Sequence, residues 1–512
     1  MFRRLYSTAA HPARFQLPQT IRQLLSSNGQ ENTTASVTGW IKSIRKQKNI
    51  TFAVVSDGTT AEGLQAVVLK KQGTSPELLK RLTNGAAVRL TGNLIKSPGS
   101  GQDWELVIQE GDTNAIEVLG DCDVDTYPIQ KKTLSTEYLR DNAYLRARTG
   151  QIAAMLRLRD HIFHNLSRSF ESQGFTYTHT PIITGNDCEG AGEAFRIAPL
   201  QPNADANPNT TPLEFFSRPA YLTVSHQLHL ESLTTALSRV YTLSPCFRAE
   251  RSMTGRHLAE FWMLEAEWNL ATRFDSIEEI CVFVEGVIRR SIDPNSDDII
   301  KLWEEKDGGK GLESEDYKTF RAAFDSEKPW KRMTYTEAIE LLHAEYAQGH
   351  KFEFKPVWGE SLSSEHERWL AEVHVGGPVF VTNYPIGLKP FYMRVNEDGK
   401  TVACFDLLVP RAGELVGGSV REERWDVLTT RMREFALLPS SEGAEQQSEG
   451  AVEGERSTSG STYQWYADLR RYGGAPHGGF GLGFERLVSW VGGIDNVREC
   501  IGMPRWTGRM IM

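Results

Sequence analysis

The stretch from Phe247 to Glu267, FRAERSMTGRHLAEFWMLEAE, constrains the fold of this chain more than any other. Apolar and polar residues alternate in both of its halves, with the period of a β-strand, and a polar segment separates the halves. Arg248 and Glu250 are one strand period apart, so in a strand both side chains project from the same face. The pattern therefore predicts two paired strands with charged groups gathered on one surface.

Two interpretations of this hairpin are open from its residues alone. Arg256 and His257 could contact phosphates, Phe261 could stack on a base, and carboxylates such as Glu250 could accept from an amino group. That set of groups suits a nucleoside triphosphate. The alternative is a solvated hairpin whose charges form surface ion pairs, which are common in proteins.

Composition narrows the class of protein. A chain of 512 residues with 40% hydrophobic and 24% charged residues is typical of a soluble globular protein of several domains. The net charge of −9 means that any contact with nucleic acid depends on local basic patches. The six scattered cysteines predict reduced, buried thiols, with neither disulfides nor a zinc site. The sequence has no apolar run of membrane-spanning length.

The N-terminal segment has a different composition. It carries Arg3, Arg4, Arg14 and Arg22, several Ser and Thr residues, and no acidic residue before Glu31. Such a composition is typical of an organelle transit peptide, so residues 1–25 are predicted to direct the protein to the mitochondrial matrix. The alternative is a basic tail without a targeting role.

Residues 34–120 are predicted to form one domain. Five short alternating segments are separated by turn residues, and a helix from Ser75 to Leu82 is expected between the third and the fourth. This order is typical of an OB-fold barrel, which commonly binds single-stranded nucleic acid. Phe52 could stack on a base, although it could equally belong to the barrel core, while Gln65 and Arg45 could reach base edges and phosphates.

A hinge at 121–150 is predicted to lead into a second domain at 151–512. Its first helix should bury one face formed by Ile152, Met155, Leu156, Phe163, Leu166 and Phe170. Gly174 should end this helix, and the extended stretch after it should run to Pro181 at a sheet edge. Residues 440–462 are rich in Ser, Glu and Gly, which predicts a disordered insertion.

Three segments resemble a known enzyme class. The helix and strand ending at Pro181, FRAE…RHLAEF and GFGLGFERL look like motifs 1, 2 and 3 of class II aminoacyl-tRNA synthetases. Within the aspartyl, asparaginyl and lysyl subgroup, YPIQKK, TPIITGNDCEGAGEAF, LTVSHQLHLE and GELVGGSVREER most resemble the asparaginyl members. The resemblance covers about residues 35–505 apart from the insertions. It implies an α+β fold with an OB-fold barrel before an antiparallel sheet flanked by helices, and a homodimer through motif 1.

The resemblance also implies roles for individual residues. ATP would be bound by Arg248, Glu250, Arg256, His257, Phe261, Glu414 and Arg486. Arg248 and Arg486 would be catalytic, because they would neutralise the phosphates during attack on the α-phosphorus. Mg²⁺ would be held by Glu414 and Asp406. Gly417 stands where aspartyl relatives often have a Ser ligand, so Glu414 is the firmer of the two.

Substrate choice is predicted from a few positions. The residues matching the amino-acid pocket are Glu189, Gln227 and Glu265 at the α-amino group, Arg421 at the side chain, and Leu230. Aspartyl enzymes have a Lys at the position of Leu230, where it pairs with the aspartate carboxylate. Without that cation a buried aspartate loses a charged partner, whereas asparagine does not, so asparagine is the predicted substrate.

The predicted function is therefore ATP-dependent charging of tRNA(Asn) with asparagine, in mitochondria. Arg45, Phe52 and Gln65 match anticodon contacts of the subgroup. Three alternatives stay open: an aspartyl enzyme, possibly without discrimination between the two amino acids, a non-catalytic RNA-binding paralogue, and a tRNA-independent asparagine synthetase on the same fold. The N-terminal barrel argues against the last of these.

Overall fold

The structure is a computed structural model that describes residues 17–26, 33–69, 76–99, 101–108, 115–185, 194–198, 215–270, 276–439 and 463–512. The chain divides into two compact units, and the boundary lies between Ala153 and Ala154. The predicted insertion at 440–462 lies outside the described residues. No helix among the described residues is long and apolar enough to cross a membrane.

The first unit is built on a six-stranded sheet. Its strands are β1 Thr33–Lys46, β2 Ile50–Ser56, β3 Leu64–Leu69, β4 Ala87–Lys96, β5 Trp104–Ile108 and β6 Ile116–Gly120, with helix α2 Pro76–Arg81 between β3 and β4. The strand order is β1-β2-β3-β5-β4-β6, and β1 also pairs with β4, which closes the sheet into a barrel. Because β1 to β5 and the helix follow the predicted order, the OB-fold is confirmed.

The barrel core extends further towards the N-terminus than predicted. Alternate residues of β1, including Val37 and Ile41, point inward, as the period of a strand requires. Helix α1 (Ile21–Ser26) adds Ile21 and Leu24 to the same apolar cluster. The folded unit therefore begins before residue 25, the predicted end of the transit peptide. Residues 1–16 of that segment lie outside the described residues.

The predicted hinge is partly helical, and the second unit is a helix-flanked sheet. Helices α3 Thr136–Asp141 and α4 Ala143–Arg146 precede α5 Gly150–Ser172. The other helices are α6 Gln227–Leu237, α7 Ser276–Ser291, α8 Asp297–Glu305, α9 Glu315–Asp325, α10 Tyr335–Ala347, α11 Ser364–Arg368, α12 Trp425–Glu434, α13 Gln464–Arg471 and α14 Phe484–Val491.

The central sheet has the order β13-β14-β15-β16-β17-β12-β11-β7. Its strands are β7 Thr176–Tyr177, β11 Arg239–Phe247, β12 Glu260–Asn269, β13 Lys331–Thr334, β14 Val379–Thr382, β15 Cys404–Val409, β16 Gly413–Val420 and β17 His477–Gly483. A second small sheet contains β8 Ile183–Thr184, β9 Arg196–Ile197 and β10 Ala220–Leu222. The central pairings are antiparallel as predicted, but both edge pairs are parallel. The sheet is therefore mixed, because β7 and β13 enter it through helical crossovers.

Helix α5 buries four of the six residues predicted for its apolar face, Ile152, Met155, Leu166 and Phe170. Met155, Leu158, Ile162, Leu166 and Phe170 are buried, at the spacing of successive helical turns. Leu156 and Phe163, assigned to the buried face from the sequence, are 36% and 38% exposed. Gly174 ends the helix with φ +76°, a conformation that glycine adopts without strain.

The two faces of the central sheet have different chemistry. Tyr241, Trp268 and Phe480 pack with helix residues Phe170 and Phe283 in one aromatic cluster, in which the rings of Phe170 and Tyr241 stack at 4.5 Å. Because side chains alternate along a strand, the intervening residues of β12 and β17 lie on the opposite face. That face carries the predicted site.

Candidate active site

The hairpin predicted from Phe247 to Glu267 is confirmed, with strands that end earlier than expected. β11 and β12 pair antiparallel in a register that places Phe247 opposite Glu260. Arg248 and Glu250 lie just beyond β11, in the connection rather than in the strand. The Arg248 amide still donates to the Ala259 carbonyl at 3.0 Å, so the connection begins as an extension of the ladder.

One cleft collects every residue predicted to bind ATP. It is lined by Arg248, Glu250, Arg256, His257, Phe261, Glu414 and Arg486, together with Met263, Gly481, Gly483 and Glu485. These residues come from three separate segments of the sequence, 248–263, 414 and 481–486, and the sheet brings them together through the neighbouring strands β12, β17 and β16. The interpretation of the hairpin as a solvated surface element is therefore wrong.

Glycines form the floor of this face. Gly481 of β17 lies opposite both Glu265 of β12 and Gly417 of β16. A Cβ at Gly479 would lie 2.1 Å from the Ala266 carbonyl oxygen, a distance that no side chain tolerates. Bare backbone lets a flat ligand lie close to the sheet, with charged groups at its edges.

The cleft is positive around an aromatic ring. The Arg248 guanidinium lies over the Phe261 ring, 5.5 Å from its centroid. His257 Nε2 lies 3.4 Å from a Glu250 carboxylate oxygen, and Thr254 Oγ1 lies 2.6 Å from the other ring nitrogen. Burial, with further contributions from the nearby guanidiniums, lowers the pKa of His257. The imidazole is therefore mainly a neutral hydrogen-bonding group at pH 7.

Two arginines at the far side of the cleft are held by backbone oxygens. Arg486 Nη1 donates to the Glu414 carbonyl at 2.6 Å, and Arg256 Nη2 donates to the Arg411 carbonyl at 3.3 Å. These two acceptors are neutral, and the Glu367 carboxylate also attracts both guanidiniums. Glu485 of α14 connects α5 and β12, because its carboxylate accepts from Arg159 Nη1 at 2.8 Å and from the Trp262 amide at 2.9 Å.

The predicted metal ligands lie in a carboxylate cluster with an unpredicted member. A Cβ at Gly417 would lie 3.2 Å from Glu414 Oε1 and 3.6 Å from Asp406 Oδ1, so both carboxylates converge above this glycine. Glu367 of α11 joins them. Burial, and then Glu414 and Asp406, raise the pKa of Glu367 to about 7. Repulsion among carboxylates of this kind is what a divalent cation relieves.

Asp406 is already neutralised in this structure. Lys389 Nζ donates to both of its carboxylate oxygens, at 2.7 and 2.9 Å. A carboxylate held in this way has less capacity for a metal ion than Glu414, whose side chain has no hydrogen bond among the described residues. The expectation that Glu414 is the firmer ligand therefore has a structural reason.

The predicted amino-acid residues continue along β12 from the cleft. Phe261 and Glu265 project from the same face, and Glu267 follows one strand period later. The Glu265 carboxylate accepts from the Ser225 hydroxyl and from the His226 amide, the latter at 2.8 Å. Gln227 and Leu230 both lie on α6, and Leu230 is completely buried. Glu189 lies outside the described residues.

Arg421 is not a free cation. Its guanidinium donates to both oxygens of Glu267, and Nη1 donates to Ser419 Oγ at 2.6 Å. Burial favours the neutral form of Glu267 and raises its pKa, and the attraction of Arg421 opposes that rise and keeps the pair together. The arginine predicted to contact the substrate side chain is thus paired with an acid that the sequence left without a role.

A further cluster could be mistaken for a metal site. Ligand atoms of His226, Cys246 and Glu265 lie within 4.8 Å of one another. However, His226 Nε2 faces the Pro245 carbonyl at 3.1 Å, so it carries the proton, and Nδ1 then accepts from Thr180 Oγ1 at 2.7 Å. Neither ring nitrogen keeps a free lone pair for a metal ion.

The first unit presents the residues predicted to contact the anticodon on the outside of its barrel. Arg45 lies opposite Phe52 in the β1–β2 ladder, with the guanidinium 4.9 Å from the ring centroid. Phe52 is half-buried and does not belong to the barrel's apolar cluster, so its assignment to the core is wrong. Gln65 Nε2 donates to Glu105 at 2.9 Å, which leaves the amide oxygen as an acceptor.

Sequence reasoning missed Glu231, Glu367, Lys389, Arg470 and His477. Glu231 could have been found, since it lies one helical turn after Gln227 and must project from the same face of α6. The other residues carry no local signal, because their partners are far away in the sequence.

Comparison with known proteins identifies the architecture. Residues 135–507 match the family described as tRNA synthetases class II (D, K and N), and residues 35–118 match the OB-fold nucleic acid binding domain. The "Asparagine--tRNA ligase" of Thermosynechococcus vestitus is 41% identical over 496 residues, covering 96% of this chain and 99% of that protein. The protein of the same name from Rhodopirellula baltica is 44% identical and covers 92% and 89%, respectively.

Solved structures agree with these matches. Asparaginyl-tRNA synthetase from Pyrococcus horikoshii, complexed with asparaginyl-adenylate, superposes with a TM-score of 0.76 at 27% identity, covering 97% of this chain and all of that one. The Entamoeba histolytica enzyme, also with asparaginyl-adenylate, gives a TM-score of 0.74 at 27% identity, with coverage of 97% and 99%. The sequence motifs, the cleft and these likenesses together place the chain in the class II aminoacyl-tRNA synthetases, in the asparagine--tRNA ligase family.

Proposed function

We propose that this protein activates L-asparagine with ATP and transfers the asparaginyl group to tRNA(Asn). The observation that carries the proposal is the cleft, in which all seven residues predicted to bind ATP line one glycine-floored face of the sheet. Its β12 wall continues directly to the buried residues predicted to bind the amino acid. A non-catalytic paralogue would have no need to keep this arrangement.

The first step joins two anions, so the site must neutralise charge and orient groups. An asparagine carboxylate oxygen attacks the α-phosphorus, a new P–O bond forms, and the bond to the β-phosphate bridge breaks to release pyrophosphate. Arg248 lines the cleft next to Phe261, where its planar fork can bridge the carboxylate and the α-phosphate. Arg256 and Arg486 keep their charges for the remaining phosphates. In the second step a terminal ribose hydroxyl of the tRNA attacks the adenylate carbonyl, and AMP leaves.

The adenine end fits Phe261 and Glu250. The ring supplies a stacking face, and the Glu250 carboxylate, already close to Arg248 at 3.8 Å, can accept from the adenine amino group. Guanine has a carbonyl oxygen at that position, which the carboxylate would repel. We therefore expect ATP to be preferred over GTP. The rates of pyrophosphate exchange measured with ATP and with GTP test this preference.

Mg²⁺ fits the carboxylates around Gly417. Glu414 is the principal ligand that this chain offers, Glu367 lies close enough to contribute, and Asp406 is engaged by Lys389. When bound there, the ion would neutralise phosphate charge during transfer.

Asparagine is favoured over aspartate by the charge around Arg421. In this structure Arg421 already has Glu267 as its carboxylate partner, so a second carboxylate from the substrate would meet an occupied cation. A carboxamide can instead accept from a guanidinium and donate to a carboxylate. Leu230, which is completely buried, supplies no cation at the position where aspartyl enzymes have a Lys.

The tRNA anticodon would be recognised on the outer face of the barrel. Phe52 would stack on a base, Gln65 would present its amide oxygen to a base edge, and Arg45 would contact a phosphate. Arg45 and Phe52 already lie side by side on this face.

The proposals on oligomeric state and cellular location rest on other segments of the chain. We propose a homodimer through α5 and the segment around Pro181, where Leu156, Phe163, Ile182 and Ile183 expose apolar surface that a second copy would cover. The Arg-rich, acid-free N-terminus supports import into the mitochondrial matrix. Light scattering of the purified protein tests the first proposal, and the location of a fluorescent fusion with and without residues 1–16 tests the second.

One experiment separates the main proposal from its alternatives. Pyrophosphate exchange with each amino acid should show activation of asparagine well above that of aspartate. AMP formation should then become tRNA-dependent, with charging of tRNA(Asn). Equal or better activation of aspartate would indicate an aspartyl enzyme, and the absence of exchange with any amino acid would indicate a binding paralogue.

A further inference from the structure

The connection between β11 and β12, residues 248–259, belongs to no helix or strand and carries Arg256 and His257 into the cleft. In the proposed function both side chains face the terminal phosphates of ATP. A segment without regular secondary structure keeps its side chains in place only where other contacts offset the entropy lost in ordering it. Such contacts come from the C-terminal segment, residues 496–507.

The C-terminal segment contacts the connection at both of its ends. The Ala259 amide donates to the Arg505 carbonyl at 2.7 Å, next to a β-bridge between Arg505 and Glu260. The Thr507 hydroxyl donates to the Glu250 carbonyl at 2.8 Å. The first and the last part of the connection are therefore fixed by residues that follow α14 in the chain.

The middle of the connection is held by Val497 and Arg498. The Val497 amide donates to the Gly255 carbonyl at 2.9 Å, and Val497 itself lines the cleft. Arg498 is 6% exposed, and its Nη2 donates to the carbonyls of Met253 and Thr254 at 3.2 and 3.1 Å. Three successive carbonyls of the connection thus accept from this part of the C-terminal segment.

These three carbonyls lie directly before the two side chains that face the phosphates. Thr254 accepts from Arg498 through its carbonyl, and its hydroxyl lies 2.6 Å from Nδ1 of His257. Gly255, the next residue whose carbonyl is held, immediately precedes Arg256. A shift of these carbonyls would displace both side chains, because each residue of the backbone has only two soft dihedral angles.

Arg498 is itself held in position by an aromatic ring. Its guanidinium lies 4.9 Å from the centroid of the Trp506 ring. A charged donor makes stronger hydrogen bonds to carbonyls than a neutral one does. A buried guanidinium that contacts both a ring and two carbonyls therefore provides a firm attachment for the connection.

We infer that the C-terminal segment is part of the ATP site, and that Arg498 is a positioning residue that keeps Arg256 and His257 directed at the terminal phosphates. The inference rests on the proposed function. Because Arg498 donates to the backbone of the connection, it acts on ATP through Arg256 and His257. Its removal should weaken the binding of the terminal phosphates and leave the stacking face of Phe261 in place.

Nucleotide binding separates this role from a general structural one. Arg498→Met keeps an apolar side chain and removes both hydrogen bonds. The dissociation constant of ATP, measured by calorimetry, should rise about tenfold or more, whereas that of AMP, which lacks the terminal phosphates, should stay within about twofold of the wild-type value. In pyrophosphate exchange the KM for ATP should rise while the KM for asparagine stays near that of the wild type.

A double variant tests whether Arg498 acts through Arg256. Arg256→Met removes the phosphate contact itself and should also raise the dissociation constant of ATP. Because both substitutions impair the same contact, Arg498→Met/Arg256→Met should lose much less than the product of the two single losses. Single losses that multiply in the double variant would show that the two residues act independently, and would overturn the inference.

Arg289 supplies a matched control outside the cleft. It donates to the carbonyls of Ser326 and Lys328 at 2.8 and 2.9 Å, and its guanidinium lies 5.0 Å from the centroid of the Trp330 ring. Arg289→Met removes a comparable set of contacts. It should lower the midpoint of urea unfolding without changing the ratio of the dissociation constants of AMP and ATP, and an equal change of that ratio in both variants would overturn the inference.

Two results with Arg498→Met would also overturn the inference. They are an unchanged dissociation constant of ATP and an equal rise for ATP and AMP, which would indicate a purely structural role. If that variant does not fold, Arg498→Lys keeps the charge on a shorter side chain and should show a smaller rise for ATP alone. The same two results in Arg498→Lys would overturn the inference. Failure of the proposed function is distinct, because the wild type itself would then not activate asparagine.

Discussion

Removing Lys389 tests how the carboxylate cluster of Glu367, Asp406 and Glu414 is kept together. Lys389 and Asp406 are 16% and 14% exposed, and both Asp406 oxygens accept from Nζ. Lys389→Met would leave Asp406 partly buried, unpaired and close to Glu367 and Glu414. Breaking a buried pair from one side costs about 3–5 kcal/mol, and the residual exposure of this pair favours the lower end of that range. We therefore expect the second unit to lose about 3 kcal/mol of stability.

Urea unfolding followed by tryptophan fluorescence measures this loss. Lys389→Met/Asp406→Asn should recover most of it, because the uncompensated charge is gone. Lys318→Met removes an exposed pair with Glu315 and should change the midpoint little. Mg²⁺ with ATP should stabilise Lys389→Met more than the wild type, since a cation can replace the lost ammonium. A Lys389→Met protein as stable as the wild type, or a double variant no better than the single one, would refute the reasoning.

Three further substitutions test other parts of the structure. Phe52→Ala should weaken tRNA binding by about 1–3 kcal/mol, the stacking energy of one base, and so slow tRNA charging while pyrophosphate exchange stays unchanged. Loss of both activities would contradict a role confined to the anticodon. Phe261→Ala should raise the KM for ATP about tenfold or more through the lost stacking face and leave tRNA binding intact, as measured by exchange and filter binding. Gly479→Ala would place a Cβ 2.1 Å from the Ala266 oxygen. It should therefore prevent soluble expression, and a well-folded, active variant would show that β12 and β17 can separate there.

Features carried by neighbouring residues could be predicted from the sequence. Strand alternation predicted the barrel and the β11–β12 hairpin, because the period of a strand is a local property. Gly174 was correctly placed at the end of α5, since only glycine adopts that conformation without strain. Periodicity failed for only two residues of the α5 face, Leu156 and Phe163. These two are as apolar as the buried residues, and composition cannot distinguish a core from an exposed surface.

For the charged residues too, some features were predictable from the sequence and others depended on the tertiary structure. Which residues could bind ATP was predicted from the sequence, because the hairpin, the GELVGGSVREER segment and the GFGLGFERL segment resemble motifs of class II aminoacyl-tRNA synthetases. Which acids and bases neutralise one another was decided by the tertiary structure alone. Arg470 reaches Glu231 across 239 residues, and Glu267 pairs with Arg421 across 154. Electrostatic energy depends on distance in space and on burial, neither of which is encoded in the spacing of residues along the chain.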